Sequence, residues 1–226
     1  FFTNVDENAT TKLQNYEKLI SKYQDDTIGS KAVYEKAKLL LELKRYNDVL
    51  AMQDTLYKLD TTKYKDIDNI INDSAIGSME NALKNKECKG VLEIATKYQI
   101  KLSDSWDDGI YECAMKGGDY TLAKSSANKN LKSEDIDFRK KWLFRYIKVD
   151  FTTGNYTNVI SASKELITLI KDNKDSKYKE VYRILFDTYN RVENNSQMLS
   201  CIDDIEKVFG KSYQDIDRYV AMITIA

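Results

Sequence analysis

The chain has 226 residues, 42% of them hydrophobic and 31% charged, the composition of a folded protein and not of a disordered one. Its 35 Lys and Arg nearly balance 36 Asp and Glu, so the formal charge of −1 leaves no electrostatic footprint for nucleic acid or an acidic membrane face. Histidine is absent, which removes the commonest general base and zinc ligand, and no apolar run approaches the roughly 20 residues that span a bilayer.

From the N-terminus, residues 1–9 read as a flexible stretch of an excised region, ahead of a single helical-repeat array over residues 10–226. Apolar residues then recur at helical spacing. Leu13, Tyr16, Leu19 and Ile20 form the first stripe, Val33, Ala37, Leu40 and Leu41 the second, and Val49, Leu50 and Leu56 the third. Ile67, Ile70 and Ile71 follow, then Val91, Leu92 and Ile94, then Ile110, Tyr111 and Ala114. Trp142, Leu143 and Ile147, then Val159, Leu166 and Ile170, then Val181, Ile184, Leu185 and Tyr189, and finally Ile202, Ile205 and Val208 complete the series. No stretch sustains a period of two, and Pro is absent, which suits unbroken helices. The chain reads all-α, with about twelve helices of roughly 12–18 residues.

Turn residues separate the stripes at Asp25-Asp26-Thr27, Asp60-Thr61-Thr62, Ser103-Asp104, Gly117-Gly118, Asp172-Asn173, Asn194-Asn195-Ser196 and Gly210, where side-chain oxygens can cap the next helix. Aligning the turns places Tyr46, Cys88, Tyr120 and Tyr156 in equivalent positions, 42, 32 and 36 residues apart, with a weaker unit near Gln197. A helical hairpin repeated at such a period buries its apolar face only by stacking on its neighbours.

The residues at these turns resemble the tetratricopeptide family. Gly118-Asp119-Tyr120 and Gly154-Asn155-Tyr156 match its turn, Ala37 its small first-helix residue, and Ala123 the Ala that follows the turn tyrosine. Val49 and Val159 stand in for that Ala, Tyr111 and Ile147 replace the small residue, and the usual terminal Pro is missing. The resemblance covers residues 10–210 and implies a right-handed superhelical solenoid of five or six degenerate hairpins. Its implied role is a non-enzymatic scaffold for other proteins; the alternative is a groove-type peptide-binding regulatory or sensor module.

Compartment is read from two further features. Asp6-Glu7-Asn8-Ala9-Thr10 matches the bacterial extended acceptor for N-glycosylation at Asn8, which needs a flexible, exposed Asn outside the cytoplasm. Tyr16-Glu17-Lys18-Leu19-Ile20 and the Tyr46 turn resemble repeats of bacterial envelope proteins. With the Lys- and Asn-rich composition of an AT-rich genome, these are similar to the epsilonproteobacterial flagellar-motor accessory family of paralysed-flagellum protein A. That likeness implies a periplasmic platform, with flagellar motor components as partners and stator positioning as the task; a cytoplasmic location is the alternative.

Chemistry finds little material. There is no Walker loop, Rossmann glycine pattern or nucleophile elbow. Asp107-Asp108 and Asp203-Asp204 read as solvated helix faces, and Asp172, Asn173 and Asp175 do not complete an EF-hand. No catalytic residue, metal site or cofactor is expected. Cys88, Cys113 and Cys201 do not make a complete disulfide framework. They read first as small buried thiols, and alternatively as one Cys88–Cys113 disulfide across adjacent helices. In the repeat register, Tyr34, Lys38, Lys141, Phe144, Lys148 and Phe151 fall on the inner face of first helices. Phe144 and Phe151 lie two turns apart with Lys148 between them, the aromatic-plus-cation chemistry of an interface. The competing reading packs them against the next repeat.

Overall fold

The computed structural model describes residues 2–24, 26–98, 100–170, 176–210 and 216–225, and among them the backbone forms thirteen α-helices and no strand. In chain order these are α1 (Phe2–Lys22), α2 (Thr27–Glu42), α3 (Tyr46–Ala51), α4 (Gln53–Leu56), α5 (Ile67–Asn85) and α6 (Cys88–Lys97). Then follow α7 (Asp107–Gly117), α8 (Tyr120–Lys129), α9 (Ile136–Thr152) and α10 (Tyr156–Ile170). The last are α11 (Glu180–Arg191), α12 (Asn195–Phe209) and α13 (Ile216–Ile225). In sequence the helices follow as five helix–turn–helix units: α2 with α3–α4, α5 with α6, α7 with α8, α9 with α10, and α11 with α12.

What makes these hairpins repeats is one stop signal used five times. Lys44, Lys86, Gly118, Gly154 and Glu193 all take a left-handed backbone, with φ between 56° and 77°. At each, the following amide bonds back to the carbonyl five residues earlier: Arg45 to Leu40, Glu87 to Ala82, Asp119 to Ala114, Asn155 to Asp150 and Asn194 to Tyr189, at 2.8–2.9 Å. The left-handed residue itself donates to the carbonyl three residues before it. These two bonds are the Schellman motif, which satisfies carbonyls a helix end would otherwise leave unpaired. Glycine enters this conformation without penalty, yet three of the five turns use Lys or Glu.

Two of the helices that follow, α8 and α12, start on a side-chain cap, whereas α3 and α6 have none. The Asp119 carboxylate accepts from the Leu122 amide at 3.0 Å, and the Asn194 side chain accepts from Gln197 at 3.1 Å. Helices α3, α6, α8 and α10 begin at Tyr46, Cys88, Tyr120 and Tyr156, the residues aligned from sequence. The fifth unit differs slightly: α12 begins at Asn195, two residues before the expected Gln197.

Tertiary contacts divide the chain into two compact units, Phe1–Cys113 and Ala114–Ala226, with the boundary inside α7. In the first, α1 packs on α2, α2 on α3 and α5, α3 on α5, and α5 on α6. Val33, Ala37, Val49, Leu56, Ile67, Ala75, Met79 and Val91 supply its core. Gly77 lets α3 approach α5 closely, because a Cβ there would overlap the Tyr46 ring. In the second unit α8 packs on α9, α9 on α10 and α11, α10 on α11, α11 on α12, and α12 on α13. Its core runs from Leu143 and Ile147 through Val159, Leu166 and Ile184 to Met198 and Ile205. Packing on sequence neighbours throughout each unit is the behaviour of helical-hairpin repeats. The all-α repeat architecture is as the periodicity predicts.

Four details depart from the sequence reading. Helix α1 already begins at Phe2, inside the stretch read as flexible. The second helix of the first hairpin breaks at Met52 into α3 and α4. Helix α13 was not foreseen; it docks through Tyr219, which stacks on Phe186 with ring centroids 4.0 Å apart. Cys88 and Cys113 form a disulfide, with Cα atoms 4.9 Å apart, so the expectation of three thiols is corrected and only Cys201 remains a buried free thiol. Asp25, Asp172, Asn173 and Asp175 lie outside the described residues.

Candidate partner-binding surface

Helix α9 is launched by Asp135, whose carboxylate accepts from the Asp137 and Phe138 amides at 2.9 and 3.1 Å. Trp142, Leu143 and Ile147 on one side are buried in the second unit. The opposite side leaves Lys141, Phe144, Lys148 and Phe151 half-buried, at the four- and three-residue spacing of one helix face. Next to them α11 presents Glu180, Arg183 and Asp187, also half-buried and one turn apart.

The two stripes are knitted together. Phe144 meets Tyr178 edge to face, centroids 5.7 Å apart, and Lys148 Nζ lies 5.0 Å from the Phe144 ring centre. The same Nζ is 3.6 Å from Glu180 Oε2. Arg183 donates to Glu180 at 2.7 Å and to Asp187 at 3.3 Å. Phe151 packs against Tyr156 at 6.4 Å, and Arg191 lies over both rings, 5.2 and 5.8 Å away, while donating to the Tyr156 hydroxyl at 3.1 Å. Lys141 and Arg145 flank the Trp142 ring at 5.6 and 4.5 Å. Such cation–ring contacts contribute about 0.5–1 kcal/mol each where exposed.

Electrostatics follow from this arrangement. Burial pushes the Glu180 carboxyl up, but the Arg183 hydrogen bond and the Lys148 charge outweigh it and hold the group below the usual carboxylate range. Within the strip Lys148 and Arg183 share Glu180, and Arg183 also reaches Asp187, so charges of both signs alternate along it.

The aromatics are therefore not free-standing. Phe144 and Phe151 both pack against the core of the second unit, the competing reading of their spacing. Lys141, Phe144, Lys148 and Phe151 do share one face. Tyr34 and Lys38 belong to α2 in the first unit and form a cluster of their own. The Tyr34 hydroxyl donates to Asp66 at 2.6 Å, its ring lies 4.8 Å from Tyr64, and Lys38 sits 5.4 Å above it. The hydrogen bond to the Asp66 carboxylate, helped by burial, pushes the Tyr34 phenol up to about 12. Asn8 is exposed, but it lies within helix α1 and not in a non-helical segment.

Sequence reasoning missed Tyr178, Glu180, Arg183, Asp187 and Arg191. The Glu180-Arg183-Asp187 spacing was a usable signal, since oppositely charged residues three and four apart pair along a helix. Among the described residues no group of three His, Cys, Asp or Glu is placed to hold a metal, and no helix is long and apolar enough to cross a membrane.

No family model and no curated protein matches the chain. Among solved structures it is similar to the crystal structure of YrrB, described as a TPR protein with an unusual peptide-binding site. The two share 14% sequence identity over 92% of this chain and 97% of that one, with a TM-score of 0.49.

Proposed function

We propose that the chain is a non-enzymatic protein-interaction scaffold whose partner surface is the aromatic and charged strip of α9 and α11. The observation that carries this reading is the strip itself. Rings of Phe144 and Phe151 are fixed by their neighbours, and Lys141, Lys148 and Arg191 lie over rings on the same face. Pre-positioned aromatics and cations lose little conformational freedom on binding, which is the makeup of interface hot spots.

We place the scaffold in an oxidising compartment, and specifically the periplasm, on the support of the Cys88–Cys113 disulfide. A flagellar-motor platform is the finer form of the proposal and rests on the sequence resemblance alone. The second reading, a peptide-binding sensor, draws on a cavity of about 670 Å³ whose floor includes Ile167, Leu185 and Val208. It accommodates apolar side chains of a peptide.

Quantitative capture from cell extract separates these. Lys141→Gln with Lys148→Gln removes both charges while truncating no ring, so partners held by the strip are lost while the thermal midpoint stays near wild type. Ile167→Lys is the corresponding change in the cavity. A partner lost only with Ile167→Lys rejects the strip in favour of the sensor. Robust catalytic turnover by the purified chain rejects both.

A further inference from the structure

Three hairpins carry a cavity in the same place: over the first helix of the hairpin, against the second helix of the hairpin before. They measure about 280 Å³ over α5, 440 Å³ over α9 and 670 Å³ over α11. Two have aliphatic linings, Leu50 and Ile94 over α5, and Ile167, Leu185 and Val208 over α11. The middle one does not. Val149 is its one aliphatic residue and is fully buried; the rings of Tyr120 and Tyr146 share the wall with the polar Thr121, Ser125, Asn128 and Asn155 and with the Lys124 side chain.

Behind that wall stands Asp150, with no exposed surface at all. It occupies the turn position that holds Leu40, Ala82, Ala114 and Tyr189 in the other four hairpins, where its carbonyl accepts the Schellman bond. Its Oδ1 receives Lys124 Nζ and, at 3.2 Å, Asn155 Nδ2. Its Oδ2 is buried without a hydrogen-bond partner. A buried ion pair rarely stabilises a fold more than apolar residues of similar volume. Four turns of the same geometry are closed without one, so the fold does not require this carboxylate. What Asp150 does achieve is to fix two side chains that face the cavity, holding Lys124 as donor over the Tyr146 ring at 5.1 Å and Asn155 beside it.

We propose that this cavity binds a neutral saccharide. The assignment follows by matching chemistry. An anion gains little, because Asp150 cancels the Lys124 charge beside it. An apolar peptide side chain finds no aliphatic anchor. A sugar presents hydroxyls that both donate and accept, and Thr121, Ser125 and Asn128 are exposed and able to do the same. Its C–H face packs on a ring, which Tyr146 and Tyr120 at the cavity supply. The volume lies within the range of small-ligand sites. Lys124 and Asn155 contact the ligand, and Asp150 is a positioning residue that acts through them. The site is separate from the strip on α9 and α11 and stands without it.

The test is a titration of the whole chain with cellotetraose, maltotetraose and tetra-N-acetylchitotetraose, followed by amide NMR. Inorganic phosphate and a neutral Gly-Ser peptide serve as competitors for the two excluded classes. At least one sugar shifts the amides of residues 120–128 and 146–155, and Thr121→Ala with Asn128→Ala, both on the surface, weakens it by about tenfold or more. Asp150→Ala with Lys124→Met gives this turn the residue of its counterparts Ala82 and Ala114. It abolishes the sugar shifts while the midpoint stays close to wild type, which a purely structural pair would not allow. The proposal is overturned if no sugar shifts these amides up to about 10 mM, if phosphate or the peptide binds there more tightly, or if the surface variant binds sugar unchanged.

Discussion

Replacing Lys86 by Gly should stabilise the protein, although it removes a side chain. Lys86 holds φ at 58°, in the conformation that Gly118 and Gly154 adopt at 77° in equivalent turns. An L-residue pays roughly 1–2 kcal/mol for that backbone, and glycine gives back roughly 0.5–1 kcal/mol through its greater freedom when unfolded. The net gain is about 0.5–1 kcal/mol per site. Lys44, Lys86 and Glu193 lie in different hairpins, so the triple glycine variant should gain about 2 kcal/mol. At this chain length that corresponds to a rise of about 5 °C in the midpoint. The reverse substitutions provide the control. A Cβ built on Gly118 or Gly154 meets nothing within 4 Å, so Ala there reports the backbone cost alone and should destabilise by about 1 kcal/mol. Urea titration followed by helical circular dichroism measures all five. A Lys86→Gly variant less stable than wild type, or a neutral Gly118→Ala, would refute the idea that one turn conformation ends every first helix.

Opening the Cys88–Cys113 disulfide, by reductant or by Cys88→Ala with Cys113→Ala, releases a 25-residue separation and should cost about 3.5 kcal/mol by loop entropy, read as a lower urea midpoint. Phe144→Ser with Phe151→Ser should lower the thermal midpoint too, because truncating a half-buried Phe forfeits about half of the usual 3–5 kcal/mol; an unchanged midpoint would show that both rings are dispensable to the fold. The Glu180 carboxyl is held below its ordinary value of 4.5, so its contribution is present above that pH and is lost as pH falls through the lower folded value. Midpoints recorded from pH 6 downward should therefore fall less steeply for Glu180→Gln than for wild type.

The hairpins were legible because their determinants are local. A turn residue, a cap and a stripe at helical spacing all lie within a few positions, so Tyr46, Cys88, Tyr120 and Tyr156 could be aligned as helix starts even though Lys86-Glu87-Cys88 shares no residue with Gly118-Asp119-Tyr120. What hid were pairings across the chain. Asp150 stands between Val149 and Phe151 and reads as any polar helix position; its burial depends on Lys124, 26 residues earlier. The strip on α9 was half visible, since Phe144, Lys148 and Phe151 show their spacing directly, whereas Tyr178, Glu180 and Arg191 join it only when α11 packs alongside. The disulfide was one of two open readings because no rule of spacing distinguishes a bonded pair from two buried thiols.

That disulfide also decides how the chain answers a pull. A stack of hairpins under tension gives way one unit at a time, each adding its extended length. Between Cys88 and Cys113 the backbone would add about 80 Å if drawn straight. The covalent bond instead passes the force directly between Cα atoms 4.9 Å apart. Helix α6 and the segment leading into α7 then bear no load. In a force–extension trace the oxidised protein should come up short by that length, and reductant should restore it, so a body holding other parts under strain would carry within it one link that does not pay out.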